Sequence, residues 1–356
     1  MSTCFCPHKV VREIFFIMQG KMSRSRANFC MSQIGRTQAG PSELWVITCY
    51  FNPCKYQNRY HNYITFAKAL RKQRVQLLTV ELGHPPHLPQ DSADMFIALD
   101  ETDVLWAKER LLQIALDQLP ASCRYVVWCD CDILFQDANW AWQTVDALQR
   151  HRVIQPFTTC YFLGATETPQ QHTMFAPSTS FAKWYSRRLK SITHTEEVLG
   201  EGHPGYVWAA RRDVLDRMGF YDKCILGHAD VVMAIAFSHN EERDGPFPKT
   251  WEPHWTPGWS EMLQKDIRAW QQRAVTIVQG DLGFLPGHIF HLWHGPRSNR
   301  NYGYRGFILQ DFDPALHLTL SPCKTWRWTD EARATNVDQR CLIYFQQRQE
   351  DDRKVK

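Results

Sequence analysis

The stretch that decides the fold is residues 125–135, which read YVVWCDCDILF. An apolar run of this kind is typical of a buried strand, and it carries two carboxylates, Asp130 and Asp132, one residue apart. Alternation along an extended backbone predicts that both carboxylates point to the same side. Two like charges held this close repel each other unless a cation lies between them. Mg²⁺ or Mn²⁺ carrying a phosphate is the expected occupant, because both ions take carboxylate oxygens and keep positions open for a diphosphate.

The composition describes a globular chain with no strong charge bias. Its 356 residues, 44% of them hydrophobic, suffice for one large α/β domain or two fused units with a sizeable core. With 41 basic and 37 acidic residues the net charge is +4, which gives no strong signal for nucleic acid. No stretch reaches the roughly 20 apolar residues of a membrane span. Residues 14–18 are apolar but too few for a signal-peptide core, so we expect a cytoplasmic protein.

The 12 cysteines are scattered, and several lie in strand-like surroundings. This pattern favours free buried thiols in a reducing compartment over disulfides. Cys4, Cys6 and His8 resemble half of a zinc site, but no matching pair follows at zinc-finger spacing.

Strands alternate with helices in the first half of the chain. Hydrophobic periodicity predicts strands at 44–48, 75–80 and 95–99, and helices at 60–70 and 104–115, the second with Asp103 as its N-cap. This alternation predicts an α/β fold with a mostly parallel sheet that binds ligands at the carboxyl ends of its strands.

The second half is organised differently. We predict a helix at 213–218 closed by Gly219, a helix around 261–273, and a strand at 275–278 that leads to the His-rich residues 287–295. Beyond residue 328 the chain is charged and is predicted to be a mobile tail.

Five motifs carry a family resemblance through their order along the chain. They are Asp130-Cys131-Asp132 after a strand, Gly205-Tyr206-Val207-Trp208 with Arg211 and Arg212, Gly219-Phe220-Tyr221-Asp222, Gly227-His228-Ala229-Asp230, and His291-Leu292-Trp293-His294. Together they resemble the nucleotide-sugar-dependent glycosyltransferases of GT-A fold, in particular the galactosyltransferase-like branch related to the β-1,4-galactosyltransferases. That family often has a Gly-Gly pair and an acidic residue before the aspartate matched to Asp230, where this chain has residues 227–229, so the acceptor stays open.

The resemblance covers residues 44–310 and implies a Rossmann-like, mixed, mostly parallel sheet with flanking helices and a C-terminal acceptor and lid region. Composition predicts a poorly ordered basic lead-in at 1–42, and the chain ends in a predicted tail at 321–356. Between them the resemblance implies a glycosyltransferase domain at 43–320, with a nucleotide-sugar half (43–157) and an acceptor and lid half (158–320).

The resemblance also implies a metal site. Asp130 and Asp132 match the family's aspartates for the metal and the diphosphate, with Mn²⁺ (or Mg²⁺) as cofactor. His294 matches the downstream metal ligand, and His291, three residues earlier, is its alternative. The lid that follows would bring Arg297 or Arg300 to the diphosphate.

Transfer is expected to pass from a nucleoside-diphosphate sugar, a UDP-sugar by preference, to the hydroxyl of a glycan or another acceptor. The residue matched to Asp230 deprotonates that hydroxyl in a single displacement that inverts the anomeric carbon. Gly205 and Trp208 would contact the sugar, although Trp208 also fits a simple core tryptophan, and Asp230 also fits a helix N-cap.

Donor binding is expected at the first strand and beyond it. The family seats uracil and ribose on residues 48–52, which include Thr48, Tyr50 and Asn52, and Tyr50 or Phe51 is expected to stack on the base. The remaining predicted contacts are Asp100 to the base or ribose, Asp130, and Lys108 or Arg110 to the diphosphate.

Three other functions fit parts of the pattern. A metal-dependent nucleotidyltransferase also uses paired aspartates, but it is expected to have an early Gly-rich phosphate loop, which this sequence lacks. A non-catalytic carbohydrate-binding relative is the second alternative, and retention of Asp130, Asp132, Asp230 and His294 argues against it. A zinc-binding interaction protein is the third.

Overall fold

The computed structural model describes residues 40–169, 177–187, 202–247, 258–302 and 305–352. Residues 1–39 of the predicted lead-in, with Cys4, Cys6 and His8, lie outside the described residues.

A seven-stranded sheet forms the centre. Its strands are β1 (Leu44–Phe51), β2 (Gln76–Gly83), β3 (Met95–Asp100), β4 (Tyr125–Cys129), β6 (Val153–Gln155), β10 (Val207–Arg211) and β11 (Leu282–Phe284). Their order is β11-β6-β10-β4-β1-β2-β3, and only β10 runs antiparallel to its neighbours. The prediction of a mixed α/β fold with a mostly parallel sheet is therefore confirmed.

A second sheet has the order β5-β12-β7-β8-β9. It consists of β5 (Ile133–Phe135), β7 (Thr159–Phe162), β8 (Ser178–Ser180), β9 (Gly202–His203) and β12 (His288–His291). Strands β13 (Leu318–Leu320) and β14 (Trp326–Trp328) form a separate antiparallel pair.

Helices flank the sheets. They are α1 (Gln57–Lys72), α2 (Lys108–Gln118), α3 (Trp140–Leu148), α4 (Phe181–Tyr185), α5 (Arg212–Met218), α6 (Ala229–Ser238), α7 (Glu241–Asp244), α8 (Glu261–Val278), α9 (Pro314–His317), α10 (Asp330–Ala334) and α11 (Val337–Gln347), with 3₁₀ turns at Gln90–Ser92, Arg297–Arg300 and Arg305–Leu309. In the described part of the chain, no helix combines the length and the apolarity needed to span a bilayer.

The central sheet is buried on both faces, as a parallel sheet requires. Alternation along β1 shows this: Trp45 and Ile47 join one hydrophobic cluster, which includes residues of α2, α5, α6 and α8. Leu44 and Val46 join the other, which includes residues of α1 and α3. Strands β1 to β4 are parallel, so their carboxyl ends lie at the same edge of the sheet. The loops that follow these strands present polar side chains at that edge.

Two predicted elements are wrong in detail. Residues 275–278 are the last turn of α8 and not a strand, because Val275 and Val278 continue the buried stripe of Leu263 and Ile267 at helical spacing. Helix α2 begins at Lys108, and the carboxylate of Asp103 accepts from the backbone N–H of Trp328 at 2.8 Å instead of capping that helix.

The segment predicted to be a mobile tail is folded. Helix α11 buries Cys341 and Phe345, and Phe345 packs edge-on to Phe51 and against Trp106, with ring centroids 6.1 and 6.3 Å away. Two of the charged residues that suggested a tail, Arg348 and Glu350, are themselves buried. Within the unit Gln38–Lys356, the predicted division into a donor half and an acceptor half stays a prediction.

Phe345→Ala should lower the free energy of unfolding by about 3–5 kcal/mol, the usual loss for a buried phenylalanine. Ile343→Ala is the matched control, because Ile343 lies on the same helix but is 49% exposed, and it should change stability by less than about 0.5 kcal/mol. Urea denaturation followed by circular dichroism measures both. Equal small losses would mean that α11 does not pack as described.

Candidate active site

A strand pairing brings the first group of site residues together. The chain leaves β4 at Cys129, turns through residues 130–132 and enters β5, which pairs antiparallel with β12 so that Ile133 lies opposite His291. The backbone N–H of Leu292 donates to the carbonyl of Asp132 at 2.9 Å. Asp132 and the His-rich segment are therefore neighbours through backbone hydrogen bonds.

Asp132, His291 and His294 form a compact cluster with the ligand spacing of a metal site. Asp132 Oδ1 lies 3.7 Å from His291 Nε2, and Asp132 Oδ2 lies 3.8 Å from His294 Nε2. The two Nε2 atoms are 3.1 Å apart. Asp132 Oδ1 is buried without a hydrogen-bond partner in the described part of the chain. This orphaned carboxylate oxygen and the two imidazole nitrogens fit a divalent ion such as Mn²⁺.

Burial controls the protonation of the cluster. Desolvation and the nearby charge of Arg300 lower the pKa of His291 to about 3 and that of His294 well below its ordinary value. Both imidazoles are consequently neutral near pH 7, the form that binds metals. Desolvation and the negative charge of Asp130 raise the pKa of Asp132 to about 7. Asp132, and not either histidine, is therefore the group whose charge changes near neutral pH.

A buried lysine links a second group of residues. Lys108 Nζ at the start of α2 lies 2.7 Å from Asp130 Oδ1 and 3.1 Å from Asp230 Oδ1. Burial alone lowers the pKa of Lys108, but Asp130 and Asp230 outweigh it and raise this pKa well above its ordinary value. That Asp130 and Asp132 face one ligand stays a prediction, and strand alternation does not support it. Residues 130–132 form a turn, so strand alternation ends at Cys129.

Asp230 lies in the first turn of α6 and faces Gly205. Burial raises the pKa of its carboxyl group, and the ammonium of Lys108 opposes that shift. A β-carbon at Gly205 would lie 3.4 Å from Asp230 Oδ2 and 3.0 Å from Cε1 of His203, so a side chain there would crowd both groups. Two of the residues predicted for the acceptor side, Gly205 and Asp230, are thus brought together.

Trp208 is a core residue, and its predicted contact with a sugar does not fit this position. It lies opposite Trp128 across β10 and β4, is 1% exposed, and stacks on that indole with ring centroids 6.3 Å apart. Its Nε1 donates to the carbonyl of Pro204 at 2.7 Å. The strand register turns the indole towards the sheet face and away from the edge.

Residues 48–52 form hydrogen bonds at the carboxyl end of β1, and their aromatic rings are buried. Thr48 Oγ1 donates to the carbonyl of Cys129 at 2.7 Å, and Asn52 Oδ1 accepts from the backbone N–H of Tyr56 at 2.9 Å. The rings of Tyr50 and Phe51 are buried, so the predicted stacking of either ring on a base does not fit this structure.

A cleft of about 330 Å³ opens beside this strand end. It is lined by Asn52, Lys55, Tyr56, Gln57, Tyr60, Pro85 and His87. The rings of Tyr60 and His87 face each other with centroids 5.9 Å apart and planes 24° from parallel. Periodicity predicts Tyr60 only as part of the helix at 60–70, and no motif predicts His87; its position in a Pro-rich loop after β2 was the available signal.

Asp100 and Arg110 lie away from the aspartates. Asp100 is exposed at the edge strand β3 and pairs with His84 at 2.6 Å. Arg110 pairs with Asp222 at 3.1 Å. Two residues along a helix turn the side chain by roughly 200°, so Lys108 and Arg110 leave α2 on nearly opposite sides. The predicted diphosphate contact of Arg110 is not supported.

The two predicted lid arginines differ in their contacts. The guanidinium of Arg300 donates to His294 Nε2 at 2.8 Å. Arg297 is exposed, and its guanidinium carbon lies 4.6 Å from the ring centroid of Phe162, which contacts the His291 ring.

His203 is a site residue that none of the sequence motifs includes. Its ring stacks on Tyr206 with centroids 4.0 Å apart, and its Nδ1 accepts from the N–H of Gly205 at 3.0 Å. Burial and the charge of Arg297 lower the pKa of His203 to about 3. Its position two residues before Gly205 was the only signal in the sequence.

No protein-family model and no curated protein matches this chain. Among solved structures, it is similar to the catalytic domain of Drosophila beta1,4-galactosyltransferase 7 in complex with xylobiose, at 12% identity and a TM-score of 0.28 over 54% of this chain and 59% of that one. The chain therefore spans less than two thirds of that structure.

Two further solved structures match longer stretches. One is a putative nucleotide-diphospho-sugar transferase from Desulfovibrio desulfuricans, with 12% identity, a TM-score of 0.33, and coverage of 85% of this chain and 99% of that one. The other is mannosyl-3-phosphoglycerate synthase from Rubrobacter xylanophilus, with 10% identity, a TM-score of 0.35, and coverage of 80% and 83%. At such TM-scores the likeness carries no argument about activity.

The raised pKa of Asp132 predicts a pH-dependent stability of the cation-free protein. Its pKa is about 3.9 in an unfolded chain and about 7 in the fold, so the fold favours the protonated form and loses stability as the pH rises from about 4 to about 7. The loss is at most about 4 kcal/mol. In Asp132→Asn it should be absent.

Urea denaturation in EDTA, at pH values from about 4 to about 7, measures the free energy of unfolding of the unaltered protein and of Asp132→Asn. The other groups titrate alike in both proteins, so the difference between the two free energies reports on Asp132. That difference should grow with pH. Parallel profiles would contradict the described environment of Asp132.

Proposed function

We propose that this protein is a metal-dependent glycosyltransferase that moves a sugar from a nucleoside-diphosphate sugar, preferably a UDP-sugar, to an acceptor hydroxyl with inversion at the anomeric carbon. The observation that carries this proposal is the Asp132–His291–His294 cluster, with its orphaned carboxylate oxygen, at the sheet edge that also holds Asp230. A cation-binding cluster beside a buried carboxylate is what transfer from a diphosphate leaving group requires.

Asp132, His291 and His294 would hold Mn²⁺ or Mg²⁺. When bound, the ion supplies Lewis-acid stabilisation of the charge that develops on the leaving diphosphate, which is worth several kcal/mol. Arg300 donates to His294 Nε2, so it would have to release that nitrogen for an ion to bind there. The cleft lined by Tyr60 and His87 is the proposed seat of the nucleoside, because it opens at the carboxyl end of β1 and presents aromatic rings against which a planar base can pack.

Asp230 is the proposed general base. Burial raises its pKa and thereby makes the carboxylate a stronger proton acceptor, while Lys108 keeps it charged in the resting protein. Asp230 takes the proton of the acceptor hydroxyl as that oxygen bonds to the anomeric carbon, and the bond from that carbon to the diphosphate breaks. Gly205 leaves room for the acceptor next to this carboxylate.

The two main alternatives differ from this proposal in what the protein would release. A nucleotidyltransferase would release pyrophosphate from a nucleoside triphosphate, and a non-catalytic carbohydrate-binding relative would bind sugar without releasing nucleoside diphosphate. The sequence lacks the early Gly-rich phosphate loop that a nucleotidyltransferase is expected to have, which favours the glycosyltransferase.

We expect UDP binding to depend on Mn²⁺ and to be lost in Asp132→Ala, because the cluster then lacks its carboxylate. His294→Ala and His291→Ala should each weaken binding. His151→Ala is the control, since it removes a histidine paired with Asp281, at 3.0 Å, outside the site. Isothermal titration calorimetry with Mn²⁺ and with EDTA measures these affinities. Equal UDP affinity under both conditions would refute metal dependence.

Asp230→Asn should lower turnover by roughly 10²–10⁴-fold, the range for removal of a general base, and should leave UDP affinity nearly unchanged. Asp222→Asn is the matched control, because Asp222, like Asp230, is a partly buried aspartate in an ion pair. A screen of UDP- and GDP-sugars identifies the donor for this assay. NMR of the product reads the anomeric configuration, and a retained configuration would exclude the single displacement.

A further inference from the structure

We propose that Glu350 is a positioning residue that holds the loop of His294 and Arg300 against helix α1. The segment Arg348–Asp352, which we term the clasp, would thereby join the cation cluster to the nucleoside cleft. The effect on cation binding rests on the function proposed above, whereas the effect on the loop does not.

The clasp is centred on a buried ion pair. Glu350 is 1% exposed and Arg348 is 3% exposed. Glu350 Oε2 lies 3.1 Å from Nη1 of Arg59 on α1, and Oε1 lies 2.6 Å from Nε of Arg348. Burial opposes ionisation of Glu350, but Arg59 and Arg348 lower its pKa to about 2. The carboxylate is therefore charged at every pH at which the protein would be studied.

On one side the clasp contacts the loop that follows β12. Gly295 has a φ of +89°, and a β-carbon there would lie 2.8 Å from the Cα of Glu350, so backbone meets backbone beside His294. Trp293 Nε1 donates to the carbonyl of Asp352 at 3.0 Å, and Asn299 Nδ2 donates to that of Arg348 at 3.3 Å. The loop is thus held before and after His294.

On the other side the clasp contacts the start of α1, which lines the nucleoside cleft. The carboxylate of Asp351 accepts from the backbone N–H groups of Gln57 and Asn58 at 2.9 and 2.8 Å. Helix α1 has no side-chain cap of its own, so Asp351 supplies one. Tyr56 donates to the carbonyl of Gln346 at 2.9 Å and extends the contact to α11.

Charge gives Glu350 a role beyond packing. The guanidinium groups of Arg59, Arg300 and Arg348 all act electrostatically on His294, and each of these positive charges would repel a cation there. Glu350 is the carboxylate that pairs with two of them. A buried ion pair contributes little net stability compared with apolar side chains of similar size, so stability alone does not account for it.

Glu350→Gln tests the proposal, with Glu101→Gln as the matched control. Glu101 is 8% exposed and pairs with Arg327 at 2.6 Å, away from the site. Amide hydrogen exchange of residues 292–302 should accelerate at least tenfold in Glu350→Gln and stay unchanged in Glu101→Gln. Mn²⁺ affinity should fall by about 10–100-fold in the first variant only, the usual effect of losing a residue that orients a metal ligand. Unchanged exchange in Glu350→Gln overturns the proposal.

Trp293→Phe keeps the proposal testable if Glu350→Gln does not fold. It removes the single hydrogen bond to Asp352, worth about 1 kcal/mol, and should accelerate exchange of the same residues by about fivefold. No acceleration would overturn the clasp. If the unaltered protein binds no Mn²⁺, the proposed function fails, and hydrogen exchange still decides the role of Glu350.

Discussion

The antiparallel pairing of β5 with β12 is the interaction on which the candidate site depends. It sets Ile133 opposite His291 and places Asp132 next to both histidines, although the two segments are far apart in the chain. Side chains alternate along a strand, so a shift of the β5–β12 register by one residue would turn His291 to the opposite face and separate it from Asp132. The buried side chains of Ile133 and Ile289 resist such a slip. The cation site is therefore a consequence of sheet register.

Charge balance explains how so many ionisable groups coexist in a small buried region. Lys108 pairs with both Asp130 and Asp230, and two arginines, Arg59 and Arg348, pair with Glu350. Asp132 differs, because one of its oxygens has no hydrogen-bond partner among the described residues. Burying a carboxylate that lacks hydrogen-bond or charge partners costs free energy. Binding of a cation is therefore more favourable beside Asp132 than beside the carboxylates that are already paired.

Local periodicity predicted the sheet and most of its flanking helices, and it failed where tertiary contacts decide. Residues 275–278 are β-branched enough to suggest a strand, but they complete the buried stripe of α8. Trp208 looked like a ligand contact, but cross-strand stacking on Trp128 buries it. The charged residues after 328 suggested a tail, because a helix with one buried face and a polar outer face has a low mean hydropathy.

The sequence by itself determined the α/β class, the edge of the sheet that carries the polar residues, and the candidates Asp130, Asp132, Asp230 and the two histidines. The class and the edge follow from short-range periodicity, which backbone geometry imposes on every strand and helix. The order of the motifs, and the family resemblance that it carries, supplied Asp230 and the two histidines. Only the tertiary structure decided their partners: Asp130 with Lys108, and Asp132 with His291 and His294. The reason is physical, because a turn at residues 130–132 ends the alternation that local spacing relies on. The pairing of distant strands then sets which side chains meet.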